Sequence, residues 1–204
     1  MEYKKGGKIS GNLIINGSLT LTEDLDVAGY IEVTEEINCA SYSIKASGSI
    51  KAGDWIKADY SIEAGGSIEA GGSIKAGNWI EAGDLIEAGN WIKAGDLIEA
   101  GNWIKAGDWI KAGGSIEAGD SIEARLGITA FLCVTAKTTI KAGLRIIAGV
   151  CNWRDITDED RTVTCSKLLG GEVVGILKET GVVDDKMAEA MELLKSNGYK
   201  IVKE

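Results

Sequence analysis

The chain has 204 residues, with 22 lysines and arginines against 31 aspartates and glutamates, so its net charge is −9, and it contains neither histidine nor proline. This length suits one domain with enough apolar material for a core. The lack of histidine excludes histidine-dependent catalytic triads, histidine general bases and zinc sites built from three histidines. The acidic balance argues against direct binding of nucleic acid.

The N-terminal segment MEYKKGGKIS lacks the apolar stretch of a signal peptide, and no apolar run in the chain reaches the roughly 18 residues of a membrane span. We therefore expect a cytoplasmic protein without membrane contact. None of the four cysteines lies in a C-x-x-C pair, which argues against a structural zinc site and favours free thiols in a reducing compartment. The cysteines are Cys39, Cys133, Cys151 and Cys165.

Residues 1–43 contain a weak six-residue repeat, or hexad. Apolar residues recur at Leu13, Leu19, Leu25, Ile31 and Ile37, and a second apolar residue follows each of them two positions later. One extra residue separates this register from the next, between Ile37 and Ile44, which we interpret as a loop or bulge. We interpret 1–43 as divergent rungs of the repeat that follows, with an N-terminal cap.

Residues 44–149 carry the same repeat in regular form. Every sixth residue from Ile44 to Ile146 is isoleucine, except Val134, and alanine follows two positions after each of these anchor residues. Apolar residues at i and i+2 point to one side of a strand, while the residue between them points to the other side. A glycine and then Gly, Asn or Asp predict a corner where positive φ is allowed. The pattern predicts an all-β fold, a parallel β-solenoid, in preference to a disordered glycine-rich tract.

The outward charges bear on the number of hexads in one coil. At a spacing of three hexads they sort into an acidic column, a lysine column and a mixed column, whereas a spacing of two hexads would scramble the two signs within each column. Asn and Asp alternate at the corners with a period of two hexads, which favours two sides, but we favour three sides. The acidic column is Glu63, Glu81, Glu99 and Glu117, and the lysine column is Lys57, Lys75, Lys93 and Lys111.

The outward position before each anchor is mostly Ser, Thr or Gly, but between residues 79 and 109 it is occupied by large apolar residues. We call this set the Trp/Leu belt: Trp79, Leu85, Trp91, Leu97, Trp103 and Trp109. On a coil of three hexads the belt circles all three faces. A contiguous exposed patch rich in tryptophan favours an interaction surface, and the alternative is stacking between rungs that stiffens the rod.

Residues 150–204 depart from the repeat. We predict strands around Val163–Cys165 and Val173–Leu177, a helix that begins at Asp184 or Asp185 and ends at Gly198, and a last strand over Tyr199–Lys203. This segment is predicted to be a small α/β appendage, either a cap on the rod or an oligomerisation segment. We expect the protein to form a homo-oligomer.

The sequence offers no candidate for a catalytic, cofactor-binding or metal-binding residue. The aspartates at the predicted corners are explained by turn formation, and GNWIKAGD lacks the Gly-Lys-Ser/Thr ending of a phosphate-binding loop. Cys133 and Cys151 are three hexads apart and would be neighbours on successive rungs, which leaves a disulfide open but favours two free thiols. We expect a protein that is not an enzyme.

The run GGSIEAGGSIKAG, followed by GLRIIAGVCNW and the tail CSKLLGGEVVGILKETG, resembles a family of phage and prophage hexapeptide-repeat proteins of Gram-positive bacteria. The solenoid is also similar in outline to the bactofilins, which polymerise end to end, although the predicted tail should block one end here. The first resemblance implies a mobile-element origin and no catalytic residues.

The sequence features predict a non-catalytic cytoplasmic protein, and the resemblance implies a phage or prophage origin in a bacterial host. The expected partner is a host protein or protein complex, for example a defence system such as CRISPR, which the protein would inhibit through the belt. The alternative is a structural or self-assembling solenoid. Imitation of a nucleic-acid backbone by the acidic column is a lesser hypothesis, because most of the net charge lies outside the repeat.

Overall fold

The computed structural model describes residues 2–151 and 154–180, which form 25 short strands. The strands pair in parallel and wind into an all-β solenoid of about 10 turns, as predicted. The N-terminal strands are β1 (Glu2–Ile9), β2 (Leu13–Ile15), β3 (Ser18–Val27), β4 (Ile31–Val33) and β5 (Ile37–Cys39).

The regular repeat forms β6 to β21. These strands are β6 (Ile44–Ala46), β7 (Ile50–Ala52), β8 (Ile56–Ala58), β9 (Ile62–Ala64), β10 (Ile68–Ala70), β11 (Ile74–Ala76), β12 (Ile80–Ala82), β13 (Leu85–Ala88), β14 (Ile92–Ala94), β15 (Ile98–Ala100), β16 (Trp103–Ala106), β17 (Trp109–Ala112), β18 (Ile116–Ala118), β19 (Ser121–Ala124), β20 (Gly127–Ala130) and β21 (Val134–Ala136). The last strands are β22 (Thr139–Ile147), β23 (Thr162–Cys165), β24 (Lys167–Val174) and β25 (Ile176–Glu179), and a 3-10 turn spans Glu159–Arg161.

Each strand from β6 to β19 pairs with the third strand before it and the third strand after it. Ile44 is the register partner of Ile62, and Ile80 is the partner of both Ile62 and Ile98. One coil therefore contains three hexads and three strands, which confirms the prediction of three sides. Stacked strands present their outward residues in straight columns, so the register decides which charges and aromatic rings become neighbours.

The core runs along the axis of the rod and consists of the anchor residues and the alanines. The anchors from Ile44 to Ile146 are fully buried, and the alanines of the repeat are at most 7% exposed. Full burial of one such isoleucine stabilises the fold by about 1.5–3 kcal/mol. Since each rung buries its apolar residues only against its neighbours, the rod is stabilised rung by rung.

The repeat glycines are needed for a reason other than the predicted one. None of the glycines between Gly48 and Gly143 has a φ angle in the left-handed region, so the expectation of positive φ at these corners is wrong. A Cβ atom would instead lie 1.7 Å from the Gly77 carbonyl oxygen at Gly95, and 2.2 Å from the Gly65 oxygen at Gly83. The corners exclude side chains because the backbones of successive rungs approach closely there.

The extra residue between Ile37 and Ile44 forms a small loop, as predicted. Ile37 pairs with Ile56, one position beyond three hexads, and the regular offset of three hexads begins at Ile44. Ser41 adopts a left-handed φ of 69°, and its N–H donates to Asp59 Oδ2 at 2.9 Å. The rung above thus holds the loop in place.

The chain leaves the ladder after Ala148 and returns at Thr162, where Val163 pairs with Val134. The strand predicted around Val163–Cys165 is present as β23, whereas the stretch predicted as one strand around Val173–Leu177 is divided at Gly175 between β24 and β25. All three strands continue the parallel ladder. The predicted helix from Asp184 or Asp185 to Gly198 and the predicted strand Tyr199–Lys203 lie outside the described residues.

Candidate surface for partner binding

The three faces of the rod differ in the outward residue that follows each anchor. We call them the acidic face (Glu63, Glu81, Glu99, Glu117), the basic face (Lys57, Lys75, Lys93, Lys111) and the mixed face (Lys51, Glu69, Glu87, Lys105, Glu123, Lys141). Direct register pairs join Glu81 to Glu63 and Glu99, and Lys93 to Lys75 and Lys111. The residues of each column predicted from the spacing of three hexads are therefore direct neighbours on successive rungs of the rod.

The belt residues lie on all three faces, two on each. Trp79 and Leu97 lie on the acidic face, Leu85 and Trp103 on the mixed face, and Trp91 and Trp109 on the basic face. The four tryptophans are 37% to 51% exposed, whereas the two leucines are half-buried. The structure thus orients the tryptophans outward, as predicted.

Trp103 is the most exposed tryptophan of the described residues, at 51%. It is the register partner of Leu85, and the two side chains line a groove of about 400 Å³ on the mixed face. The rest of the groove is lined by Glu87, Ile104, Lys105, Ser121, Glu123 and Thr139. An apolar centre with a polar border is the composition expected for the core of a protein interface.

The charges around this groove neutralise one another. Lys105 Nζ lies 2.9 Å from Glu87 Oε1, and Lys141 Nζ lies 2.7 Å from Glu123 Oε1. The hydrogen bond to Glu87 raises the pKa of Lys105. Each of these four charges already has a partner of opposite sign. A protein that covers the groove would therefore not bury any of them without its counter-charge.

A carboxylate on the next rung holds the Trp103 ring in place. The indole N–H donates to Asp120 Oδ2 at 2.5 Å, and Thr138 Oγ1 donates to Asp120 Oδ1. The hydrogen bonds from Thr138 and Trp103 lower the pKa of Asp120. A fixed ring loses little conformational entropy on binding, which favours affinity. Sequence reasoning missed this contact, because Asp120 looked like an ordinary corner aspartate.

The remaining tryptophans combine exposure with packing between rungs. Trp79 Nε1 donates to Glu63 Oε1 at 3.2 Å, and the Trp109 ring lies against Gly127. Outside the belt, Trp55 Nε1 donates to Glu36 Oε2 at 2.5 Å. Stacking between rungs and an exposed binding surface are therefore compatible in this protein.

The cysteines have a structural role in the rod and not a reactive one. Burial raises the pKa of Cys39 to about 12 and also raises the pKa of Cys165, which disfavours the reactive thiolate. All four cysteines are free. The expected position of Cys151 beside Cys133 is wrong, since Thr162 occupies that place in the register after the chain leaves the ladder.

Comparison with protein-family models, curated proteins and solved structures finds no match to this chain. The described residues contain no group of three or more His, Cys, Asp or Glu side chains arranged to hold a metal ion. Within the same ranges, no helix has both the length and the apolar character needed to cross a membrane.

Proposed function

We propose that the protein is a non-catalytic binding protein, and that the Trp/Leu belt contacts a macromolecular partner with Trp103 at the centre of the contact. The observation that carries this proposal is the half-exposed indole in a groove whose flanking charges are already paired. A tryptophan fixed in such surroundings has the character of a binding hot spot.

The partner that fits is a protein. An apolar side chain can pack on Leu85 and Trp103, while backbone and polar groups of the partner can meet the ion pairs at the border. Following the resemblance to phage proteins, we propose a host protein or complex of the bacterial cytoplasm as this partner, with inhibition of a defence system such as CRISPR as the specific form. Phage origin and inhibition remain predictions.

The test compares the double variant Trp91→Ser, Trp103→Ser with the matched control Trp55→Ser, which replaces a tryptophan of similar exposure outside the belt. Each protein serves as bait in a lysate of the producing bacterium, and affinity for any captured protein is then measured with purified components. We expect the double variant to lose at least about tenfold in affinity, as hot-spot residues do. Full binding by a correctly folded double variant would refute the proposal.

A structural role through self-association is a second candidate. The observation that favours it is the presence of one acidic face and one basic face on the same rod. Light scattering over a hundredfold range of protein concentration tests it, since a mass that does not change from that of one chain rejects self-association.

A further inference from the structure

Two faces of the rod carry unpaired charges of opposite sign. Among residues 2–151 and 154–180, none of the four lysines of the basic face forms an ion pair, and the same holds for Glu81, Glu99 and Glu117 on the acidic face. The mixed face differs, because its pairs Lys51–Glu69, Lys105–Glu87 and Lys141–Glu123 link successive rungs. On the acidic face Glu63 is paired with Lys45 at 2.8 Å, and on the basic face Lys111 Nζ lies 5.8 Å from the centroid of the Phe131 ring. Ion pairs between rungs are thus available in this fold, but within the described residues Glu81, Glu99, Glu117 and the four lysines of the basic face do not form them.

The two unpaired columns have the same spacing. Lys75, Lys93 and Lys111 lie on directly paired strands, as do Glu81, Glu99 and Glu117. Paired strands are about 4.8 Å apart, so like charges repeat at that distance along each column. Such rows of like charge are unfavourable in the isolated rod, and an opposite row at the same spacing would relieve both.

We propose that copies of this chain associate side by side, with the acidic face of one copy on the basic face of the next. This inference rests on the self-association candidate and is independent of partner binding by the mixed face. The ladder spacing is common to all copies, so the two columns match without any adjustment of the rods. The observations that carry the proposal are this shared spacing and the charge complementarity of the two faces.

The order of residues along the strands predicts that adjacent rods are antiparallel. On both faces the belt residue precedes the anchor and the charged residue follows it, and all strands run in the same sense around the rod. Between parallel rods the facing strands run in opposite directions, so apolar residues would face charges. Between antiparallel rods the facing strands run in the same direction, so apolar residues face apolar residues and lysines face glutamates.

One relative position of antiparallel rods satisfies both columns. It places Lys75 opposite Glu117, Lys93 opposite Glu99 and Lys111 opposite Glu81 in the neighbouring copy. The same position places Trp91 opposite Leu97 and Trp109 opposite Trp79. All three unpaired glutamates then gain a lysine, and four of the six belt residues become covered.

This contact leaves the mixed face free. Trp103 and Leu85 stay accessible on every copy, so self-association is compatible with partner binding at the groove of the mixed face and competes with it at the other four belt residues. The contact is heterologous, because it joins two different faces, and each added copy again presents one acidic face and one basic face. Heterologous contacts generate open filaments or closed rings, so the assembly extends beyond a dimer.

The test uses light scattering of the full chain at several protein and salt concentrations. The first variant carries Lys75→Glu, Lys93→Glu and Lys111→Glu, and the second carries Glu81→Lys, Glu99→Lys and Glu117→Lys. We expect association of the wild type that falls at least about tenfold between 0.1 M and 1 M NaCl, since the Debye length falls from about 10 Å to about 3 Å. Each variant alone should not associate, and an equimolar mixture of the two should regain association.

Matched controls separate this contact from other effects. Lys51→Glu with Glu69→Lys reverses an ion pair on the mixed face and should leave association unchanged, as should Trp103→Ser. If circular dichroism shows that a charge-reversal variant does not fold, a milder variant replaces it in the same test. This variant carries Lys75→Gln, Lys93→Gln and Lys111→Gln, and it should also lose association. Wild-type protein that stays a single chain overturns both the self-association candidate and this inference, whereas association unchanged by both charge reversals overturns the inference alone.

A disulfide test checks the orientation in a Cys133→Ser background. Oxidation of a mixture of Lys93→Cys and Glu99→Cys proteins should give a covalent dimer, while a mixture of Lys93→Cys and Lys75→Cys proteins should not. A wild type that stays a single chain but binds a single-stranded oligonucleotide through the basic face would overturn the proposal in favour of a polyanionic partner.

Discussion

Gly127 lies against the indole ring of Trp109 in the preceding rung, so closely that a Cβ atom on Gly127 would be 2.3 Å from ring carbon Cζ3. The two residues are direct register partners in β17 and β20. The equivalent position in other rungs is mostly Ser, Thr or a belt residue. The glycine leaves the space that the ring occupies, and Trp109 is 38% exposed, as Trp91 is.

We predict that Gly127→Ala displaces the Trp109 ring toward solvent. The ring rather than the backbone moves first, so the loss of stability should be moderate, about 1 kcal/mol. Tryptophan fluorescence should shift to longer wavelength, and the shift should be absent in the double variant Gly127→Ala, Trp109→Ser. An unchanged emission spectrum in the single variant would contradict the packing of this pair.

The corner glycines give a second prediction. A Cβ atom at Gly95 would meet the Gly77 carbonyl oxygen at 1.7 Å, whereas a Cβ atom at Gly11 meets nothing within 4 Å. We therefore expect Gly95→Ala to destabilise the fold by about 3 kcal/mol, because backbone must move in two rungs. Gly11→Ala is the matched control and should change the free energy of unfolding by less than about 0.5 kcal/mol in a urea titration. Equal effects of the two substitutions would contradict the close approach of the rungs.

The buried anchors and alanines could be predicted from the sequence because their period alone decides which side chains point inward. The coil of three hexads could also be predicted, since the signs of the outward charges sort only at that spacing. The reason for the corner glycines could not be predicted. Local sequence suggested turn conformation, whereas the real constraint is the carbonyl of a residue one full coil earlier, such as Gly77 for Gly95.

The candidate binding surface was predictable in outline only. The outward direction of Trp103 follows from its place before an anchor residue, but its hydrogen bond to Asp120 depends on how two rungs stack. The wrong position of Cys151 has a different cause. The regular pattern ends at Ala148 but does not tell where the chain rejoins the ladder, so the position of Cys151 inferred from a spacing of three hexads was wrong.

Substitution of an anchor should be far more costly than substitution of its outward neighbour. Ile98 is fully buried between two rungs, whereas the adjacent Glu99 points to solvent. We expect Ile98→Ala to lower the free energy of unfolding by about 2–5 kcal/mol, and Ile98→Val by about 0.5–1.5 kcal/mol. Glu99→Gln, the control, should be neutral or slightly stabilising because it removes one charge from the acidic column. A small effect of Ile98→Ala in chemical denaturation would contradict a tightly packed core.

The stabilisation from the hydrogen bond between Trp103 and Asp120 should depend on pH, because the Asp120 carboxyl group titrates. Hydrogen bonds from Thr138 and Trp103 hold the pKa of this carboxyl below its ordinary value, so the unfolded chain binds a proton more readily than the folded chain. The resulting stabilisation is complete above the unfolded pKa of about 3.9 and is lost as the pH falls through the lower folded pKa. Asp120→Asn removes the titrating group and should lower stability at pH 7 by about 0.5 kcal/mol, since solvent screens this partly exposed site. Parallel urea titrations from pH 7 to pH 3 should show the difference between wild type and variant shrinking below about pH 4. A difference that stays constant across this range would mean that the charge of Asp120 does not fix the Trp103 ring.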